Sequence, residues 1–196
     1  MLFVKDIENF LLKHPTKTYA FRDTATIDKI IVHQTDGADS GAFTPYEIAN
    51  YHVNDNDWAG IGYHYVIIDT GQIYLTQNPN KISYHASGNN TESIGVAITG
   101  SHRLTDLDVD NADLIGKKEY NSLIYLLAKL KEKYNIPYEN IIGHNETSTL
   151  KSCPNLNMSA VRSDVKKKIL VWNIIRISGV LLGITFVVYG VKKYLN

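Results

Sequence analysis

From residue 27 to residue 143, short β-branched runs alternate with stretches of helical period, and that alternation predicts an α/β domain. Residues 27–34 (IDKIIVHQ) read as a buried strand. Residues 63–68 (YHYVII) make a second, and after Asp69, Thr70 and Gly71 a third follows at residues 72–75, which together describe a hairpin with glycine in its turn. Residues 93–99 (SIGVAIT) form another strand and residues 140–143 a short last one. Thr44 and Pro45 suit the cap and first turn of a helix running through Tyr51. Residues 118–134 place Leu123, Leu126, Leu127 and Leu130 at helical spacing, with lysines in the last turns where the helix dipole favours them, and Asn135 and Pro137 end the pattern. The expected fold is a mixed central β-sheet flanked by helices, one domain over residues 1–165.

The hydrophobic pattern changes after that point. Residues 169–191 (ILVWNIIRISGVLLGITFVVYGV) would span about 34 Å as a helix, against a hydrocarbon core of roughly 30 Å. Asn173 and Arg176 interrupt the run, and Arg176 falls in its first third, where a long side chain can snorkel to the headgroups. Lys166 to Lys168 and Lys192 to Lys193 bracket it, with Trp172, Tyr189 and Tyr194 placed as an aromatic belt. The expectation is a single C-terminal membrane span in a second region, residues 166–196, in which Gly179 and Gly183 could pack helices together. A buried helix of the soluble domain is the alternative. Basic residues are slightly denser before the span than after it, which weakly favours a cytoplasmic catalytic domain. The N-terminus has no basic leader followed by an apolar run, so no cleavable export signal is expected.

Charge and cysteine content narrow the function. The net charge is zero, yet residues 1–165 hold 14 basic and 20 acidic groups, a net of −6, which disfavours nucleic acid as partner. The one cysteine, Cys153, excludes an internal disulfide.

His33 at a strand end, His144 after the last strand and Cys153 nine residues later suit a catalytic zinc site with an open fourth position. Spacing alone does not select them, because seven histidines are present and no short metal motif such as HExxH occurs. Four ordered blocks do: IIVHQTDG, GIGYHYVIIDTGQIY, SYHASGNNTESIGVAITG and GHNETSTLKSCPN. They resemble the amidase-type phage lysozymes, the type-2 N-acetylmuramoyl-L-alanine amidases and the peptidoglycan recognition proteins, over roughly residues 27–160. The resemblance implies that His33, His144 and Cys153 bind zinc, that Tyr63 and Lys151 are catalytic, and that His85 lines the substrate groove. It implies cleavage of peptidoglycan between N-acetylmuramic acid and L-alanine. His64, facing away from Tyr63 on a strand, reads as structural, and Glu146 as an orienting acceptor or a solvated carboxylate. The loop between His144 and Cys153 looks one residue longer than in phage relatives.

With the tail, this describes a membrane-anchored phage enzyme, in the host or virion membrane, used to penetrate or leave the host. A non-catalytic peptidoglycan-binding membrane protein and a cytoplasmic cell-wall recycling amidase are the alternatives.

Overall fold

The computed structural model describes residues 3–35, 44–100, 115–148 and 152–194, with side chains of the last helix described as far as Ser178. Six strands, β1 (Val4–Asp6), β2 (Lys29–Gln34), β3 (Tyr65–Ile67), β4 (Ile73–Leu75), β5 (Ser93–Ile98) and β6 (Ile141–Gly143), form one sheet in the order β1-β4-β3-β5-β2-β6. Pairing is parallel except in the β3–β4 hairpin, so the sheet is mixed, as expected. Three helices are described: α1 (Pro45–Asn54), α2 (Lys117–Tyr134) and α3 (Met158–Tyr194).

Strand alternation divides the chemistry between two faces. Ile30, Val32, Ile94, Val96, Ile98, Tyr65, Ile67 and Ile73 point to one face, where Leu123, Leu126, Leu127 and Leu130 of α2 and Met158, Val161, Val165 and Ile169 of α3 cover them. The helical spacing read from the sequence is the spacing of this seam. Leu127 is fully buried there. The other face carries Val66 and Ala97 against Ile48 and Ala49 of α1, together with Ile7, Leu11 and Ile61 from connecting segments. On that face β5 contributes only Ser93, Gly95 and Ala97. Small residues leave room above the sheet, and the functional side chains occupy it.

Local chemistry fixes the helix ends. Thr44 and Glu47 form a reciprocal capping box ahead of Pro45, and α1 continues three residues past its expected end at Tyr51. Asn135 closes α2 in the left-handed conformation, φ 53°. The β3–β4 turn uses Gly71 at φ +82°, and a Cβ there would come within 2.9 Å of the Lys118 carbonyl, so helix and turn meet through the missing side chain. The edge strand β1 was not expected; three residues are too few to show a period.

The tail begins inside the domain. The α3 helix starts at Met158 and runs without a break past residue 165, and Val161, Val165 and Ile169 are buried in the core. Trp172 packs edge-on against Tyr125, with the Lys129 ammonium 4.6 Å above its ring. Arg176, expected to snorkel, forks onto Glu132 of α2 at 3.0 and 3.1 Å. The opposite side exposes Leu170, Val171, Ile174, Ile175 and Ile177. Among the described residues no helix is long and apolar enough to cross a membrane. Gly179, Gly183 and the side chains of the remainder of the expected span lie outside what is described, and the expected helix packing with them.

Candidate metal centre and substrate groove

Parallel register brings the two histidines together. Ile30 stands opposite Ile141 and Val32 opposite Gly143. One residue further along, His33 on β2 and His144 just past β6 emerge side by side, ring centroids 4.5 Å apart. Glu146 accepts the Gly143 N–H at 2.8 Å and pairs with Arg162 of α3 at 3.1 Å, so it braces the turn that carries His144. The loop bearing Cys153 is pinned by the Asn145 N–H to the Cys153 carbonyl, 2.7 Å, and its sulfur accepts the Gln34 N–H at 3.1 Å. The same sulfur lies 3.7 Å from the Gln34 carbonyl, so both backbone groups of Gln34 hold the Cys153 side chain against the end of β2.

One donor atom from each of His33, His144 and Cys153 lies within 4.8 Å of the others. One ion with bonds of roughly 2.0 to 2.3 Å can gather all three. Two imidazoles and a thiolate form a borderline-soft set that suits zinc. His33 is buried, whereas His144 and Cys153 are half-buried and open onto the groove, which leaves a fourth direction free for water or substrate. The residues therefore fit the ion expected from the sequence.

The groove has a volume of about 850 Å³. Its floor is His33, His144 and Cys153, and its walls are Trp58, Tyr63, Tyr84 and His85, with Asn90, Thr147 and Ser152 supplying hydrogen-bonding groups. Tyr63 is half-buried on the wall, its ring 5.3 Å from that of His33 and 5.5 Å from that of His52. Trp58 and Tyr84 meet edge to face, and Tyr19 supports Tyr84 from behind at 4.7 Å. A Cβ on Gly62 would lie 2.8 Å from the Trp58 ring, so glycine is what lets Trp58 sit there. Lys151 lies outside the described residues.

The other described histidines are distinguishable by their surroundings. His64 is fully buried; burial lowers its pKa to about 3, and its Nδ1 accepts the Gly95 N–H at 3.0 Å. That is a structural role. His52 is lowered to about 4 by burial and accepts the Gly62 N–H at 3.0 Å, which ties α1 to the segment carrying Tyr63. His85 is held well below the ordinary range, first by burial and then by the neighbouring His33 and His64. Its edge lines the groove while its two nitrogens face His33 and Ser93. His14 is remote, paired with Asp57 at 3.1 Å. Trp58, Tyr84 and Asn90 were not singled out from the sequence; Tyr84 and Asn90 lie within the block SYHASGNNTESIGVAITG, but only the folded chain assembles them with Trp58 around one groove.

The model of the N-acetylmuramoyl-L-alanine amidase family matches residues 23–156. The endolysin of Escherichia phage T7 is 28% identical over 138 residues, which covers 70% of this chain and 87% of that protein. Peptidoglycan-recognition protein SD of Drosophila melanogaster is 26% identical over 144 residues, covering 71% and 74%. Among solved structures, the Ph2119 endolysin from a Thermus scotoductus bacteriophage superposes with a TM-score of 0.66 at 24% identity, covering 83% of this chain and 99% of that one, a likeness of fold.

Proposed function

Because the chain belongs to the N-acetylmuramoyl-L-alanine amidase family, we propose that it hydrolyses the amide between N-acetylmuramic acid and L-alanine in bacterial peptidoglycan, with zinc held by His33, His144 and Cys153. The observation that carries this reading is the convergence of those three donors at the floor of the groove. When bound, zinc supplies Lewis acidity toward the amide carbonyl and brings the pKa of water down to roughly 7.

The chain's own residues do the rest. Trp58 and Tyr84 offer flat apolar surface for the sugar and stem peptide, and Asn90 and Thr147 offer polar groups for their amides and hydroxyls. Tyr63, on the wall beside His33, donates its phenol hydrogen to the oxygen that gains charge as the carbonyl is attacked. Lys151 is the second donor by its place in the sequence motif. The Gln34 N–H, 3.1 Å from the Cys153 sulfur, holds that ligand in place.

Digestion of purified peptidoglycan, with fragment masses, tests this. Free stem peptides beginning at L-alanine are expected, together with their loss on chelation and in Cys153→Ala. Undiminished cleavage by Cys153→Ala would sink the zinc assignment, whereas tight peptidoglycan binding without cleavage by the wild type would make this a recognition protein.

The C-terminal segment supports a second element of the reading, a membrane tether in a phage lytic or virion-associated enzyme. Support comes from the apolar residues after Arg176 and from the stripe of exposed apolar residues on α3. Co-flotation of the full chain with lipid vesicles tests the tether, and protease protection in sealed vesicles tests its orientation. A chain that stays with the soluble fraction would remove it.

A further inference from the structure

Behind His33 lies a line of hydrogen bonds that no catalytic step uses. His33 Nε2 is 3.1 Å from His85 Nδ1, His85 Nε2 is 3.2 Å from Ser93 Oγ, and the Ser93 hydroxyl donates to the Asn89 carbonyl. The direction of this line is fixed from its far end. A carbonyl only accepts, so the one proton of Ser93 is spent on Asn89, and Ser93 can only accept from His85. His85 is 7% exposed, and its described polar contacts include no carboxylate. The proton that His85 gives to Ser93 sits on Nε2, which leaves Nδ1 toward His33. A histidine that ligates a metal through one nitrogen carries its hydrogen on the other, and the acceptor facing His33 Nε2–H is His85 Nδ1. Proton bookkeeping therefore leaves His33 with its lone pair on Nδ1.

Resting on the zinc reading above, we propose that His85 and Ser93 are positioning residues for the metal centre: they lock His33 in the Nε2–H tautomer and aim its Nδ1 at the ion. The seat of the relay is built for this. The His85 ring lies directly on Gly95 of β5, where an added Cβ would be 2.6 Å from its Cγ. The backbone N–H groups of His85 and Ala86 both donate to Asn90 Oδ1, at 3.1 and 2.7 Å, which fixes the turn carrying the ring. A metal-ligating histidine with its other nitrogen engaged loses less freedom on binding, and removal of such a partner costs roughly 10- to 100-fold in metal affinity.

The test uses the full chain and two readouts independent of turnover: zinc affinity by competition with a chromophoric chelator, and imidazole ¹⁵N shifts of the metal-free protein. Metal-free wild type is expected to show His33 protonated at Nε2. His85→Phe is expected to bind zinc roughly 10- to 100-fold more weakly, and His85→Asn, whose Oδ1 can accept near the place of Nδ1, should recover most of the loss. Gly95→Ala, which displaces the ring without deleting it, should reproduce the weakening. Ser93→Ala should release the tautomer of His85 and populate both forms of His33. Wild-type affinity in His85→Phe, or a His33 protonated at Nδ1 in the metal-free wild type, would overturn the proposal. A wild type with the expected tautomer that binds no zinc would overturn the metal reading instead.

Discussion

Glu119 offers a quantitative test of the packing between α2 and the sheet. It occupies the first turn of α2, 1% exposed, and its Oε1 has no hydrogen-bond partner among the described residues. Burial pushes its pKa up from 4.5 to about 8; a hydrogen bond from the Thr99 backbone pulls it down, and the charge of Asp69 adds to the rise. A carboxylate in a first turn gains only about 0.3 to 1 kcal/mol from the helix dipole. A shift of this size, at about 1.4 kcal/mol per unit, is several times larger, so desolvation wins. Between pH 4.5 and 8 the folded chain holds a proton that the unfolded chain has released, so stability falls as pH rises through that window. The loss from this one group is on the order of 3 kcal/mol at pH 7. Glu119→Gln keeps the shape and removes the titration. Urea unfolding of the chelated, metal-free protein, followed by circular dichroism from pH 5 to 8, should show the variant near wild type at pH 5. At pH 7 it should be more stable by about 3 kcal/mol, roughly 6 to 12 °C in melting temperature. Parallel stability curves for the two proteins across that range would refute the reasoning.

The buried histidines give the opposite slope. With His64 lowered to about 3 and His52 to about 4, the unfolded chain takes up protons first; stability is complete above pH 6.5 and is lost as pH falls toward 3, which acid titration of the Glu119→Gln background should reveal as a separate limb. Gly62→Ala would put a Cβ 2.8 Å from the Trp58 ring and 2.9 Å from the Tyr84 carbonyl, so it should displace both groove walls, weaken peptidoglycan binding measured by pull-down on purified sacculi, and lower the melting temperature. Leu127→Ala, at the buried centre of the helix–sheet seam, should cost about 2 to 5 kcal/mol by denaturant unfolding. Arg176→Ala breaks an exposed ion pair and should cost under about 1 kcal/mol in the same assay; a larger loss would mean that α3 depends on that link to stay docked.

The three candidate ligands were legible in the sequence through the ordered motifs that carry them, and strand geometry explains why the fold brings them together. His33 terminates a β-branched run and His144 follows another, and parallel pairing of those two runs forces the rings together. The relay behind them was not legible. Ser93, Gly95 and Ala97 read as the weak half of a strand whose strong half, Ile94, Val96 and Ile98, is its core face. Only the sheet order, with β5 between β2 and β3, reveals that the small residues make the seat for His85. His85 read as a groove residue for the same reason: the motif gave its position along the chain, and tertiary packing gave its nitrogens their partners.

The C-terminus is instructive in another way, because hydropathy along a helix does not say which neighbour its apolar side meets. Residues 169–176 carry the composition of a membrane entrance, yet Ile169, Trp172 and Arg176 recur on the side facing α2 and make contacts a bilayer would otherwise supply. What remains uninterrupted after Arg176 is residues 177–191, about 22 Å of helix, shorter than a hydrocarbon core of roughly 30 Å. The docked and the spanning states of residues 169–176 therefore compete, and a full crossing requires Trp172 to leave Tyr125 and Arg176 to leave Glu132. Because α3 begins five residues after Cys153, peeling away its first turns would also loosen the core beneath the metal loop, whereas peeling after Ile169 would leave Val161 and Val165 in place. A tether that keeps the enzyme intact must therefore hinge between Ile169 and Arg176. A disulfide engineered between α2 and α3 in that stretch separates the two states: it should leave peptidoglycan digestion unchanged and reduce co-flotation with vesicles, and equal flotation would show that the docked helix is already the membrane-bound form.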